Sequence, residues 1–346
     1  MKLFRFLGLS VLGLGIVLGM SACDGPASEK LIPKPKFKKK VFKGDVKGQE
    51  FFTPQVDILF VVDDSGSMGT HQTNLANGIR TFVDNLDSNS LLEYHFGVIT
   101  SSDDFSSTRN SGGGNLAGFP PFVDKNTPDG LLKLQENLMV GTSGDATEIF
   151  LDVIRMAHSP NLTQPGGRNS GFFRRNAYLA IIFLTDSDDQ GNMSAQDLHR
   201  FLVDTKGGKE DLVLAYGAII PRGDSCDRSG EPEPDRIMTF LSLAKGGDYF
   251  SLCDLNFGKR LAELANDIVG RVGKYFYLRE APVPETIKVS YGAQQIPNDP
   301  LIGWTYDPAR NAIFFGPEIE FSEDDPDAKL SVNFVTGTFE VDEPQK

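Results

Sequence analysis

Val56-Asp57-Ile58-Leu59-Phe60-Val61-Val62-Asp63-Asp64-Ser65-Gly66-Ser67-Met68 opens on an almost wholly apolar run and closes in carboxylates, hydroxyls and glycine. A short continuous apolar run rich in β-branched residues reads as a central strand whose sheet is covered on both faces. Asp63, Ser65 and Ser67 then place a carboxylate and two hydroxyls at alternating positions, just past the carboxyl end of that strand. In an open α/β sheet, ligands bind at that end. Hard cations such as Mg²⁺ take oxygen ligands, and this loop offers three.

Working outward, Tyr178 to Thr185 is a second continuous apolar strand, ending in Asp186-Ser187-Asp188-Asp189. Glu93 to Thr100 and Leu212 to Ile220 read as further strands, and Gly246 to Cys253 as the last of the set. Between them, apolar residues recur at helical spacing over Asn74–Leu86, Glu148–Ala157, Gln196–Val203, Asp235–Ala244 and Phe257–Val269, with Ser194 as an N-cap. Strands alternating with helices predict an α/β fold, a mostly parallel, doubly wound sheet flanked by helices. Ser101 to Pro128 is rich in Gly and Ser without periodicity. It reads as a surface loop with a short edge strand at Phe122-Val123.

The spacing Asp63-x-Ser65-x-Ser67 after a hydrophobic strand resembles the metal-ion-dependent adhesion site of von Willebrand factor A domains, and Gly66 and Met68 fit the bacterial form of that motif. The resemblance covers residues 55 to about 272. It implies a strand order that sets the second apolar strand beside the first. It implies a closing carboxylate at Asp186 and a threonine hydroxyl from the loop before the Glu148 helix, for which Thr142 and Thr147 both qualify. Thr142 is taken as the ligand and Thr147 as the alternative, since Thr147 is equally explained as a helix N-cap. The ligand set is thus Asp63, Ser65, Ser67, Thr142 and Asp186, holding a divalent cation, Mg²⁺ before Mn²⁺ or Ca²⁺. Two carboxylates roughly balance its charge, and an open octahedral position accepts a partner's Asp or Glu. The implied activity is metal-dependent protein binding, in adhesion or assembly, and not catalysis.

Competing readings use some of the same residues. Asp186, Asp188, Gln190, Gly191 and Asp197 fall near positions of an EF-hand calcium loop, but a strand precedes them. Asp188 is kept as an alternative metal ligand. A hydrolase or phosphatase-like enzyme lacks support. The acid that haloacid-dehalogenase phosphatases carry two residues after the nucleophile is here Ser65, and His71, His95, His158 and His199 form no catalytic spacing. A structural envelope protein with an inactive site is the third reading. Arg222-Gly223-Asp224 is a three-residue match to an integrin-recognition sequence and carries little weight.

The chain opens with Lys2 and Arg5, an apolar stretch to Val17, and Ser21-Ala22-Cys23. This reads as a signal peptide over residues 1–22 with a lipobox, and Cys23 as the lipidated residue. Residues 23–50 hold eight lysines mixed with Pro and Gly and read as a solvated tether. The protein is therefore expected in the cell envelope, anchored through lipid to a membrane. Among 346 residues, 47 acids outweigh 34 bases; beyond residue 50 the balance is about −19, which disfavours nucleic acid. With Cys23 acylated, Cys226 and Cys253 remain and are expected to form a disulfide tying two strand ends. Residues 51–274 make the α/β domain. Residues 275–346 show short alternating runs broken by Pro and Gly, which predicts a small antiparallel β module with Trp304, Phe314, Phe315 and Phe334 in its core.

Overall fold

A computed structural model describes residues 46–89, 91–103, 112–144, 147–224, 234–322 and 328–336. Two compact units divide the chain after Lys43, and the second spans Gly44–Lys346. The signal peptide, the lipidation site Cys23 and most of the tether lie outside the described residues, as do Asp145, Ala146 and Cys226. No helix among the described residues is long and apolar enough to cross a membrane.

In chain order the elements are β1 (Val46–Phe52), β2 (Gln55–Val62), α1 (Gly69–Asp87), β3 (Glu93–Thr100), β4 (Phe122–Asp124), α2 (Gly130–Leu138), α3 (Phe150–Ala157), α4 (Pro160–Thr163) and β5 (Tyr178–Thr185). There follow α5 (Ala195–Thr205), β6 (Val213–Ile219), α6 (Asp235–Leu243), β7 (Lys245–Ser251), α7 (Phe257–Val272), β8 (Tyr275–Tyr277), β9 (Lys288–Tyr291), β10 (Gln294–Ile296), β11 (Trp304–Asp307), β12 (Ala312–Phe315) and β13 (Leu330–Val335).

Six strands form one sheet in the order β4-β3-β2-β5-β6-β7. All its pairings are parallel except β3 with β4. The fold is therefore α/β with a mostly parallel sheet, and the two apolar strands lie side by side. Residues alternate across β2: Ile58, Phe60 and Val62 face Leu75, Ile79 and Phe82 of α1 and Leu261 and Ile268 of α7. Leu59 and Val61 face α3, α5 and α6 through Phe150, Ile154, Leu198 and Phe240. Burial on both faces is why β2 and β5 read as unbroken apolar runs. On the second face, Asp57 is fully buried and paired with Arg174, whose Nε lies 2.7 Å from Oδ1.

The β module is two antiparallel sheets, β1-β13-β9-β10 and β11-β12-β8, closing on one core that includes Trp304, Phe315, Val332 and Phe334. Two expectations need correction here. Residues 46–50 are not tether. They open β1, which pairs antiparallel with β13 from Val46↔Val335 to Phe52↔Leu330, so the module is built from both ends of the chain. Phe314 is not core, because alternation along β12 turns Ile313 and Phe315 inward and leaves Phe314 against Tyr275 on the other face.

The excursion before β4 is less superficial than its composition suggests. Leu116 and Ala117 are buried, and the Asn169 amide accepts from Leu116 N at 2.9 Å and donates to Gly114 O at 2.8 Å. Gly118 has φ +77°, and a Cβ there would strike the Asn137 side chain. The sequence's predicted edge strand is present as β4.

Candidate metal centre

β2 delivers Asp63 to the carboxyl edge of the sheet, and the strand pairing continues one step further, with Asp63 N donating to Leu184 O at 3.0 Å. The Asp63 carboxylate is fully buried. It accepts from Ser65 N (2.8 Å) on one oxygen and from Thr185 Oγ1 (2.7 Å) on the other. The first bond folds the chain back on itself, so that Ser65 Oγ and Ser67 Oγ stand 3.2 Å apart. Gly66–Met68 then forms a single 3₁₀ turn, and Met68 anchors it in the core. Gly66 has neither a left-handed φ nor a neighbour that a Cβ would meet, so the backbone does not demand glycine there.

Thr185 is the last residue of β5, and Asp186 follows it. The carboxylate donors, far apart in sequence, thus sit at the tips of adjacent strands. Burial pushes the Asp63 carboxyl up to about 6, the bonds from Ser65 and Thr185 oppose this, and the charge of Asp186 adds to the rise. Asp186 is nearly buried, and its Oδ1 has no hydrogen-bond partner.

The threonine-bearing loop is drawn to the same place by a residue the sequence reading passed over. Gln72, buried in the first turns of α1, donates from Nε2 to Asp63 O (2.9 Å) and Gly141 O (2.7 Å), and its Oε1 accepts from Gly141 N. Thr142 therefore stands beside the loop, its Cγ2 3.4 Å from where a Cβ on Gly69 would lie. Asp64, also buried, accepts from Ser101 Oγ at 3.0 Å, and its backbone oxygen accepts from Gly144 N at 2.9 Å. A Cβ on Gly144 would overlap the Asp64 carboxylate, so Gly144 is required by close approach. Thr142 and Thr147 are both exposed, and the N-cap position of α3, which begins at Phe150, is held by Ile149 and not by Thr147.

Asp188, the alternative ligand, is engaged elsewhere: its carboxylate accepts from Arg236 N and Ile237 N at 3.0–3.1 Å and caps α6. Asp189 accepts from Leu151 N at 2.9 Å, doing the same for α3, and pairs with Arg236 at 3.2 Å. Asp197 belongs to the first turn of α5 beside the N-cap Ser194. Asp186 thus faces Asp63 while Asp188 and Asp197 serve two different helices, which removes the calcium-loop reading. Arg222 of the Arg-Gly-Asp tripeptide holds Asp235 through two bonds of 2.9 and 2.7 Å. Cys253, just beyond β7, is disulfide-bonded, while Cys226 lies outside the described residues.

Buried side-chain atoms without a hydrogen-bond partner include Asp186 Oδ1, Thr100 Oγ1 and His71 Nδ1. Thr100 ends β3 opposite Val62, and His71 lies in the first turn of α1, its imidazole held below its usual range by burial and opposed by the charge of Asp186. Unpaired polar atoms are costly in a fold's interior, and burial raises the Asp63 carboxyl because its surroundings disfavour the charged form. Two carboxylates with flanking hydroxyls are hard oxygen donors of the kind Mg²⁺ takes. Among the described residues no group of three or more His, Cys, Asp and Glu could hold a metal. The set at Asp63 contains only two such side chains and draws its remaining oxygens from hydroxyls.

No family profile matches the chain, and no curated protein matches it in sequence. Among solved structures it is similar to the pilus adhesin SpaC of Lactobacillus rhamnosus GG in its open conformation, at 12% identity and a TM-score of 0.38. That match covers 83% of this chain and 39% of the adhesin. It is also similar to proximal thread matrix protein 1 of the mussel byssus, at 12% identity and a TM-score of 0.39, covering 68% of this chain and 52% of that one. The chain therefore spans little more than half of either protein at most. These likenesses are too distant to bear on function, which rests on the residues of the site.

Proposed function

We propose that residues 55–272, from β2 to the end of α7, are a von Willebrand factor A-type domain and that the protein binds another protein through a divalent cation, as an adhesion or assembly module of the cell envelope. The observation that carries this reading is the buried Asp186 Oδ1 without a hydrogen-bond partner, set close enough to the buried Asp63 carboxylate for their charges to interact, with the Ser65 and Ser67 hydroxyls alongside. The strand order, with β2 flanked by β3 and β5, supports the family assignment. When bound, the ion supplies an electrophilic position for a partner's carboxylate. Asp63 and Asp186 carry the countercharge, Ser65 and Ser67 complete the donor set, and either Thr142 or Thr147 adds a further hydroxyl. Gln72 holds the Thr142 loop in register. Lipidation at Cys23 tethers the module to a membrane.

Calorimetry with Mg²⁺ or Mn²⁺ should show one ion per chain, lost in Asp63→Ala and Asp186→Ala, and the Thr142→Ala and Thr147→Ala variants identify the threonine. Envelope proteins retained with Mg²⁺, released by chelator and absent with Asp63→Ala complete the test. Labelled palmitate incorporated by the native chain but not by Cys23→Ser tests the anchor. The hydrolase alternative draws on one observation, the His71 Nδ1 left without a hydrogen-bond partner within reach of the Asp186 charge. Metal-dependent turnover of a phosphoester that His71→Ala abolishes would replace docking with catalysis.

A further inference from the structure

At the end of the sheet opposite Asp63, this acidic chain turns basic. A cleft of about 630 Å³ lies between the starts of β2 and β5 and the β8 strand of the module. Arg175, Lys206, Lys209 and Arg279 line it, and Glu50 is the single acid. Lys206 is already used, its ammonium donating to Arg174 O at 2.8 Å and lying 3.8 Å from Asp57. Arg279 is partly answered by Glu50. Arg175 and Lys209 belong to no ion pair among the described residues, yet they are neighbours: burial and then the charge of Arg175 hold the Lys209 ammonium below its usual range. Lys209 stands over the Tyr277 ring, 4.3 Å from its centroid. Arg175 lies 3.6 Å from where a Cβ on Gly207 would sit, against bare backbone that turns through φ +69°.

Arg175 is exposed and Lys209 half-buried, so solvent screens much of their repulsion, and an anion in the cleft gains by contacting both. Three available cations against one acid suit a dianion better than a single carboxylate, and a guanidinium beside an ammonium suits the oxygens of phosphate. Tyr275 and Tyr277 add aromatic walls for the remainder of such a molecule. The charge of the domain outside the cleft disfavours an extended polyanion. We propose that this cleft binds a phosphate group, carried by either a lipid headgroup or a soluble phosphate ester.

The test uses the full chain, the double charge reversal Arg175→Glu/Lys209→Glu and the milder Arg175→Gln/Lys209→Gln. Two probes separate the sources: inorganic pyrophosphate by calorimetry, and vesicles of phosphatidylglycerol and phosphatidylcholine by co-sedimentation. All proteins in the vesicle arm carry Cys23→Ser so that no acyl chain holds them, and the arm is read as the part of co-sedimentation that exceeds the background of the Lys-rich segment common to all of them. The expected result is binding of at least one probe, falling at least tenfold in both variants whose melting stays within a few degrees of the native chain. Loss for pyrophosphate assigns a soluble ester, and loss for vesicles alone assigns a headgroup. Binding of neither probe, or binding that both variants retain, overturns the proposal. Asp63→Ala should leave the result unchanged, so failure here is separable from failure at the metal centre.

Discussion

Replacing Asp63 with Asn should make the metal-free protein more stable. The carboxyl is pushed from 3.8 up to about 6, chiefly by burial. A folded-state pKa above the unfolded one favours folding while the group stays protonated. That contribution is whole below about pH 4 and is lost as pH rises through about 6. At about 1.4 kcal/mol per pKa unit, ionising this side chain in place costs about 3 kcal/mol at pH 7.5. Asn offers one carbonyl oxygen to two donors, Ser65 N and Thr185 Oγ1, so it forfeits one bond, about 1–2 kcal/mol. The balance is a gain of about 1–2 kcal/mol, or roughly 2–4 °C in Tm for a chain of this size. With Mg²⁺ at a hundredfold over its Kd, the native protein should rise by about 2.7 kcal/mol, while Asp63→Asn stays where it was. The assay is thermal melting followed by circular dichroism at pH 5.0 and 7.5, in chelator and in Mg²⁺. A metal-free variant less stable than native by more than about 2 kcal/mol at pH 7.5, or one that Mg²⁺ still stabilises, would refute the picture of a buried charge lacking its cation.

Asp188→Ala should cost about 1–2 kcal/mol through loss of the α6 cap, yet leave the Mg²⁺ shift intact; a lost shift would return Asp188 to the ligand set. His158, stacked on Phe173 and pushed down to about 4 by burial, stays neutral in the fold while the unfolded chain takes a proton near 6.5. Stability should therefore fall by about 3 kcal/mol as pH drops from 6.5 through 4. Urea unfolding at pH 7 and 4.5 measures this, and His158→Phe should remove most of the drop. Trp304, the single tryptophan, is buried in the β module with Nε1 donating to Ile296 O at 3.0 Å. Because β1 runs from the module directly into β2, Trp304 fluorescence and far-ultraviolet circular dichroism should report one coincident urea transition. An earlier fluorescence transition would mean that the module unfolds by itself.

Much of the architecture could be read from the chain because its signals are local. A parallel strand covered on both faces must be apolar at every position, so Val56–Val62 and Tyr178–Thr185 announce themselves, and the helices that cover them repeat apolar residues at their own period. The oxygen donors at Asp63, Ser65 and Ser67 were legible for the same reason, since their alternation belongs to one loop. β1 was not legible: Val46–Phe52 sits among lysines and glycines, and its partner β13 lies at the other end of the chain. Gln72 was hidden by being one polar residue in an amphipathic helix. A signal was nonetheless present in Asp188 and Asp189, since neighbouring helices without side-chain caps of their own need acceptors from elsewhere.

The sequence by itself determined the strands of the parallel sheet, most of the helices, the oxygen-rich loop and the change of character near Tyr275, because each depends on residues within a few positions of one another. Tertiary structure alone decided which carboxylates meet. Asp63 and Asp186 converge because β2 pairs with β5, whereas Asp188 and Asp189, equally acidic and adjacent to Asp186, are turned away to satisfy the amide groups of α6 and α3. It also decided that Arg175 and Lys209 crowd one cleft in an otherwise acidic protein. Hydrogen-bond partners and charges are allotted by proximity in space, and local sequence carries no record of that proximity.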